Sequence, residues 1–223
     1  MDQLVFNKKK RIISNKKRNL ITFANPDSII SEQYRTIRTN LFFLNNDKKN
    51  KTLLITSPGK LEGKSTTAAN LAISMAQQQE KVLLIDGNLR NPNIHNIFKT
   101  SNAYGLTDVL AGTTPLEDAI YSSSIERLDI LTSGRVPSNP VELLASQQMQ
   151  QLLHRIKSLY DIILIDSTSI LEVTDTKIIA NICDGVVLVV KQNKTNIESA
   201  VETKKALEYA RAKIVGVILN NKK

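Results

Sequence analysis

The sequence predicts an α/β fold in which helices cover both faces of a single doubly wound, mostly parallel sheet. Three observations support this fold class. Strand-like apolar runs alternate with helical stretches along the chain. Most of these runs are continuously apolar, which is typical of parallel strands that are buried on both faces. Polar motifs follow three of the runs, and folds of this class bind ligands beyond the carboxyl ends of their strands.

The first predicted element is a helix within residues 25–44, with Ser31 as the expected N-cap and Glu32 in the first turn. Apolar runs predict six strands, at 52–56, 82–86, 128–133, 161–166, 185–190 and 213–219. Helical patterns lie between them, at 64–79, 140–158, 173–181 and 195–211, with a pair of helices around 106–121. No internal repeat is present in the sequence, so the pattern describes one domain.

Length and composition narrow the class of protein further. The 223 residues suffice for one α/β domain with extensions. The single cysteine, Cys183, excludes an intrachain disulfide and is typical of a reducing compartment. No apolar run approaches the roughly 20 residues that a membrane-spanning helix needs. We therefore expect a soluble, cytoplasmic protein.

The positive charge is concentrated at the N-terminus. The net charge is +9, and residues 1–20 contain seven Lys or Arg and one Asp. We predict a basic, flexible segment at 1–27 and a folded domain at 28–223. A nucleic-acid-binding domain spreads its basic residues over the folded surface, so nucleic acid is an unlikely partner. The segment is either a disordered solubilising arm or a contact for the anionic inner face of the cell membrane.

The stretch SPGKLEGKST, after the first strand, predicts a phosphate-binding loop with an irregular start. The usual pattern G-x-x-x-x-G-K-[ST] has a glycine where this chain has Pro58. Its second half is intact: Lys64 can reach the β- and γ-phosphates, and Ser65 can bind Mg²⁺. We predict a P-loop NTPase fold whose nucleotide-binding residues are Gly59, Lys60, Leu61, Glu62, Gly63, Lys64, Ser65 and Thr66. The Leu61 side chain is expected to point outward.

Two further motifs follow strands and carry carboxylates. In VLLIDGNLRNP the strand ends at Asp86, which can accept a proton or hold Mg²⁺ through water. Asn88 is a further candidate metal ligand, and Arg90 joins Lys64 and Asp86 as a candidate catalytic residue. In DIILIDSTS, four apolar residues precede Asp166, as in a Walker B strand, which predicts a magnesium ligand near Ser65.

Seven motifs in order resemble those of the bacterial tyrosine kinases (BY-kinases) of Gram-positive type, over about residues 28–221. They are SEQYRTIRTN, ITSPGKLEGKSTTAANLA, KVLLIDGNLRNP, GLTDVLAG, LTSGRVPSNPVELL, DIILIDSTS and TDTKIIA…DGVVLVVK. The resemblance implies an enzyme that uses ATP and Mg²⁺ to phosphorylate protein tyrosines and regulates capsule or exopolysaccharide synthesis and export. It implies Asp86 as the base for the tyrosine hydroxyl and Asp166 as the Walker B aspartate.

The resemblance also implies partners. Glu32, Arg35 and Arg38 match an E-x-x-R-x-x-R helix that packs against the next subunit in a homo-oligomeric ring. The other implied partner is a membrane-spanning activator, whose cytoplasmic tail docks near the nucleotide. A protein with that partner would be recruited to the inner face of the membrane. Without the resemblance, the charge pattern alone favours a solvated helix face for these three residues.

The sequence departs from the family pattern in three places. Asn88 stands where the family has a second aspartate, Ser167 to Ser169 replace a threonine and two prolines, and the C-terminal tyrosine cluster is missing. These departures leave open a weakly active or inactive ATP-binding scaffold. A partition or positioning ATPase is less consistent with the sequence, because Gly59 occupies the position of the signature lysine of that class. Asn220, at the end of the last predicted strand, is a candidate contact for adenine.

Overall fold

The computed structural model describes residues 20–43 and 51–221, which form one seven-stranded sheet. Its strand order is β3-β4-β2-β5-β1-β6-β7, and all neighbouring pairs are parallel except β3 with β4. The strands are β1 (Lys51–Thr56), β2 (Val82–Asp86), β3 (Ile120–Ser122), β4 (Leu128–Leu131), β5 (Ile162–Asp166), β6 (Gly185–Lys191) and β7 (Ile214–Asn220). All six predicted strands are present. The antiparallel edge strand β3 was not predicted, because its residues lie in a stretch with a helical pattern.

Ten helices lie within the described ranges, two before the first strand and eight between strands. They are α1 (Ile21–Ala24), α2 (Ile29–Phe43), α3 (Lys64–Ala76), α4 (Ile94–Phe98), α5 (Leu106–Leu110), α6 (Leu116–Ala119), α7 (Pro140–Leu144), α8 (Gln147–Lys157), α9 (Asp175–Ile182) and α10 (Ile197–Tyr209). The helix predicted at 140–158 is two helices, because the Ser146 side chain accepts the backbone N–H of Met149 and starts a new helix. Among the described residues, no helix is long and apolar enough to cross a membrane.

Two apolar cores, one on each face of the sheet, explain the continuous apolar runs. Successive residues of a strand point to opposite faces, so Leu53 packs with α3 in one core and Leu54 packs in the other. The α3 core includes Leu71, and the opposite core includes Ile179 of α9 and Leu207 of α10. The predicted doubly wound architecture is thus confirmed.

The predicted N-cap of α2 was wrong. The helix begins two residues before Ser31, and the backbone N–H of Ser31 donates to the side chain of Ser28 at 3.1 Å. Ser28 is therefore the capping residue. Ser31 is buried instead, and its hydroxyl donates to the carbonyl of Asn25 at 2.7 Å. Both serines suit a cap, but only Ser28 precedes the first helical turn.

The end of the predicted N-terminal segment packs against the domain. Leu20 and Thr22 are buried, and the Thr22 N–H donates to Asn70 Oδ1 of α3 at 3.0 Å. The packed part of the chain therefore includes residues from Leu20 onwards. Residues 1–19, which contain the seven basic side chains of the segment, lie outside the described residues.

Candidate active site

The strand order brings the three motifs to one edge of the sheet. Strand β5 lies between β1 and β2, and its last residue, Asp166, pairs in register with Asp86 at the end of β2. Asp166 also pairs with Ile55, next to the end of β1, after which the phosphate-binding loop begins. Neighbouring strands lie about 4.8 Å apart. The two carboxylates and the loop therefore meet, although the sequence separates them widely.

The loop between β1 and α3 has the backbone of an anion-binding turn. Leu61 and Gly63 have φ angles of 58° and 97°, in the left-handed region. A side chain on Gly63 would collide with the amide of Asn220, so glycine is required there. Leu61 is 82% exposed, so its side chain points outward as predicted. The loop leads into the N-terminus of α3, where backbone N–H groups favour anions.

Lys64 is the first residue of α3 and is buried among polar groups. Its ammonium donates to Ser169 Oγ, after β5, at 3.2 Å. Burial lowers the pKa of Lys64, and the charges of Asp166 and Glu62 oppose that shift. A cation held in this position is suited to bind phosphate oxygens, since ion pairing is stronger away from water. Ser65 and Thr66 follow on the first turn of the same helix.

Asp86 is fully buried and holds the loop that follows β2. Its Oδ2 accepts the backbone N–H groups of Asn93 and Ile94, both at 2.9 Å, and its Oδ1 accepts that of Asn88 at 3.2 Å. Burial raises the pKa of Asp86 to about 6, and these three donors limit the shift. A carboxylate offers about four acceptor positions, so one remains for a further donor.

Asp166 is a buried carboxylate without a strong donor. Within residues 20–43 and 51–221, neither of its oxygens has a hydrogen-bond partner of good geometry, although Ser65 and the backbone of Ser167 lie near enough to lower its pKa. Burial, with a smaller contribution from the charge of Asp86, raises the pKa of Asp166 to about 7. An unsatisfied buried carboxylate is costly.

That unsatisfied carboxylate fits a magnesium site. Mg²⁺ prefers oxygen ligands and usually binds one or two carboxylates together with phosphates and water. The described residues contain no cluster of three or more His, Cys, Asp or Glu that could hold a metal ion by itself. Ser65 and Asp166 are thus suited to hold Mg²⁺ together with the phosphates of a nucleotide.

Asn88 and Arg90 are both engaged with other protein groups. The Asn88 amide donates to the Asn91 carbonyl at 2.8 Å and accepts the Asn91 N–H at 3.1 Å, which closes its own turn. Arg90 makes a two-point ion pair with Asp175, at 2.9 and 3.0 Å, and the carboxylate of Asp175 is buried. The structure therefore places both residues on the loop after Asp86, with their side chains directed to other partners.

Asn220 comes to the loop from the end of β7, whereas Lys60 is a residue of the loop itself. Asn220 Nδ2 donates to the carbonyl of Glu62 at 2.8 Å. The exposed ammonium of Lys60 lies 3.4 Å from a carboxylate oxygen of Glu172. Asn220 thus lies at the predicted nucleotide-binding loop, and its contact with adenine stays a prediction.

The predicted interface residues lie on α2, which packs against α3. Glu32 and Arg35 form an ion pair of 2.5 Å on the helix surface, and Arg35 also donates to the Pro26 carbonyl. Arg38 instead points towards α3 and donates to the Ser74 carbonyl at 2.5 Å. Arg38 therefore also has a role within the chain.

Sequence reasoning missed two residues of the site. The Gly87 N–H donates to the Asp166 carbonyl at 2.8 Å, and a Cβ on Gly87 would lie 2.8 Å from that oxygen. The Asp-Gly pair after an apolar run was the available signal for this close approach. Thr195, which donates to the carboxylate of Glu62, gave no signal, because 133 residues separate the two.

Comparison with known sequences identifies relatives of the chain. The profile of the AAA domain family matches residues 61–214. The chain is 47% identical over 210 residues to the tyrosine-protein kinase YwqD of Bacillus subtilis, covering 94% of this chain and 89% of that protein.

Solved structures extend the similarity to the fold. The kinase domain of the Escherichia coli tyrosine kinase ETK is similar with a TM-score of 0.88 and 32% identity, over 96% of this chain and 84% of that one. The chimerical protein CapA2B2 gives a TM-score of 0.87 and 38% identity, over 91% and 89% of the two chains.

A more distant likeness is to the septum site-determining protein MinD from Pyrococcus horikoshii, solved with Mg-ADP. It has a TM-score of 0.66 and 29% identity, over 76% of this chain and 70% of that one. The likeness to the kinases is greater in score and in coverage. By its motifs, its fold and its relatives, the chain belongs to the bacterial tyrosine kinases (BY-kinases) of Gram-positive type.

Proposed function

We propose that this protein transfers the γ-phosphoryl group of ATP to tyrosine residues of proteins, with Mg²⁺ as cofactor. The observation that carries the proposal is the pairing of two buried carboxylates, Asp86 and Asp166, beside Lys64 at the mouth of a phosphate-binding loop. Family membership supports the choice of tyrosine as acceptor.

The residues divide the chemistry among them. Lys64 and the backbone N–H groups of the loop hold the phosphate oxygens and stabilise the charge that shifts during transfer. Ser65 and Asp166 hold Mg²⁺, which when bound neutralises charge on the phosphates. Asp86 uses its remaining acceptor position to take the proton of the tyrosine hydroxyl. The bond between the γ-phosphorus and the β-phosphate oxygen of ATP breaks, ADP leaves, and the γ-phosphorus bonds to the tyrosine oxygen.

The direct test is a phosphotyrosine assay. The protein is incubated with ATP, Mg²⁺, a tyrosine-rich acceptor peptide and the cytoplasmic tail of the proposed membrane activator. Phosphotyrosine is measured by mass spectrometry. We expect a signal that Lys64→Met abolishes and Asp86→Asn reduces by roughly 10²-fold or more, the range of general-base catalysis. Phosphotyrosine that persists in Lys64→Met would exclude the assigned site.

A second candidate function is a nucleotide-gated scaffold that regulates polysaccharide export without phosphorylation. The turn of Asn88 favours it, since that amide is used within its own loop and adds no second negative charge towards Mg²⁺. The same assay separates the two functions. ATP binding without phosphotyrosine would identify the scaffold.

We further propose the setting in which the kinase acts. It works in the cytoplasm at the inner face of the membrane, in capsule or exopolysaccharide synthesis and export, as a homo-oligomeric ring with a membrane-spanning activator and protein tyrosine substrates. The similarity to CapA2B2, a chimera whose name joins two Cap components, supports a paired partner. The Glu32–Arg35–Arg38 helix is the proposed ring interface, and the basic N-terminal segment the proposed membrane contact.

A further inference from the structure

The structure points to a clasp that shapes the phosphate-binding loop: we propose that Thr195 and Asn220 act through Glu62 to hold the loop ready for ATP. In this view Glu62 and Thr195 are positioning residues for the nucleotide. The inference rests on the proposed function, because it concerns the same loop and the same ligand.

Glu62 is an unexpected residue in an anion-binding loop. It directly precedes Gly63, and it is only 2% exposed. A buried carboxylate is costly unless its oxygens accept hydrogen bonds, and its negative charge repels a phosphate nearby. Both oxygens are engaged: Oε2 accepts the Gly59 N–H at 2.9 Å, and Oε1 accepts the hydroxyl of Thr195. The Glu62 carboxylate therefore stabilises the conformation of the loop.

The contact with Gly59 explains how the irregular loop closes. A regular loop begins with a glycine at the position of Pro58, which here has a fixed φ and no N–H. In this chain the Glu62 side chain takes the Gly59 N–H, and Ser57 Oγ donates to the Gly59 carbonyl at 2.6 Å. Two side chains thus fix the turn that the regular sequence forms with glycine.

Two segments that are distant in sequence hold Glu62 and Lys60 from outside the loop. Thr195, between β6 and α10, accepts the Lys191 N–H at 2.9 Å and donates to Glu62. Lys194 Nζ donates to the Lys60 carbonyl at 2.6 Å. Asn220, at the end of β7, donates to the Glu62 carbonyl at 2.8 Å. Hydrogen bonds from the segment after β6 and from the end of β7 therefore hold the loop in place.

These hydrogen bonds should lower the loss of conformational entropy that accompanies ATP binding. A loop that is ordered before the ligand arrives loses less conformational freedom when it binds, so the affinity rises. Removing the Thr195 hydroxyl frees the Glu62 carboxylate from one of its two donors. We expect the loop to lose its fixed shape while the sheet and both cores stay intact.

The test compares ATP binding and kinetics in matched threonine variants. Isothermal titration with Mg²⁺·ATP gives Kd, and the phosphotyrosine assay gives KM and kcat. Thr195→Val is expected to raise Kd and KM for ATP about tenfold, the loss of one hydrogen bond to a charged group. Because the contact shapes the loop before and during reaction, kcat should stay within about twofold. Thr195→Ser, which keeps the hydroxyl, should restore both values.

Thr203→Val is the control. Thr203 lies in α10, is buried, and its hydroxyl has no hydrogen-bond partner within the described part of the chain. This substitution should leave Kd unchanged. Thermal midpoints without nucleotide show that every variant is folded.

A double-variant cycle tests whether the contact acts through Glu62. The Kd of Glu62→Ala combined with Thr195→Val should equal that of Glu62→Ala alone, since both changes remove the same contact. Additive losses, or an unchanged Kd in Thr195→Val while the wild-type protein binds ATP, would overturn the clasp but leave the kinase proposal intact. A wild-type protein that binds no ATP would overturn both.

Discussion

The fold buries the Asp166 carboxyl group, which disfavours its ionised form. Burial raises its pKa from 3.8 to about 7 and that of Asp86 from 3.8 to about 6. Between about pH 4 and pH 7, these two carboxyl groups therefore bind more protons in the folded protein than in the unfolded chain. The free energy of unfolding of the ligand-free protein should therefore fall as pH rises from about 4 to about 7. A bound cation reverses this, because it favours the ionised form.

Replacing Asp166 by Asn should thus stabilise the ligand-free protein. At pH 8 we expect the thermal midpoint of Asp166→Asn to rise by about 3 °C or more, the effect of about 1 kcal/mol in a chain of this size. The gain should vanish near pH 4, because Asp166 in the folded protein is then protonated and is as uncharged as the asparagine that replaces it. The rise in thermal midpoint that Mg²⁺·ATP causes in the wild-type protein should be lost in the variant. Scanning fluorimetry across pH measures all three. Asp118→Asn, an exposed control in α6, should change nothing, and a lower midpoint for Asp166→Asn at pH 8 would contradict the assignment.

Asn88 offers a second test at the same scale. Asn88→Asp adds a carboxylate beside the proposed metal site, so the rate of tyrosine phosphorylation should rise, by up to about 10²-fold if the added charge acts on the transferring group. Asn91→Asp places the same charge in the same turn, on the residue that Asn88 pairs with, and serves as the control. An unchanged rate in Asn88→Asp would mean that the amide at this position does not limit the activity.

At the scale of elements, α2 carries one residue that contacts α3 and one that is exposed, so variants of the two can distinguish an effect on stability from an effect on assembly. Arg38 donates to the Ser74 carbonyl, and burial lowers the pKa of its guanidinium. Arg38→Ala should lower the free energy of unfolding by about 1.5–3 kcal/mol, since it removes a charged hydrogen bond. Glu32→Ala, on the exposed side of the same helix, should change that free energy by less than about 0.5 kcal/mol. Urea unfolding measures both.

The proposed ring gives these variants a second measurement. If α2 packs against the next subunit, Glu32→Ala should reduce the oligomer in light scattering while stability is kept. An oligomer that forms equally well in Glu32→Ala would remove this residue from the interface.

At the scale of the whole molecule, the cluster of basic residues lies in a different part of the sequence from the candidate active site. Seven basic residues lie within the first 20 positions, at one end of the sequence. Attraction to an anionic membrane amounts to about 1 kcal/mol for each Lys or Arg near the surface. A chain without residues 1–19 should therefore lose most of its sedimentation with phosphatidylglycerol vesicles, and 0.5 M salt should release the full chain. Phosphatidylcholine vesicles are the control, and equal binding of both chains would contradict the proposal.

Sequence alone predicted the architecture because buried parallel strands leave continuous apolar runs. It missed β3, a three-residue edge strand whose residues are only partly buried or exposed. It placed the N-cap of α2 at Ser31, three residues after the serine that caps the helix. Lys64, Asp86 and Asp166 were found together, since carboxyl ends of parallel strands share an edge. Thr195 was not, because its contact with Glu62 depends on a strand order that local patterns do not contain.

The position of β5 between β1 and β2 also has a consequence for biosynthesis. The phosphate-binding loop follows β1 and Asp86 ends β2, yet these strands are not neighbours in the sheet; the strand that joins them is completed only at Asp166. A growing chain on the ribosome holds both halves of the site well before it holds the strand that aligns them, and the clasp residues Thr195 and Asn220 emerge later still. The proposed ATP site, with its clasp, is therefore complete only after synthesis has passed Asn220.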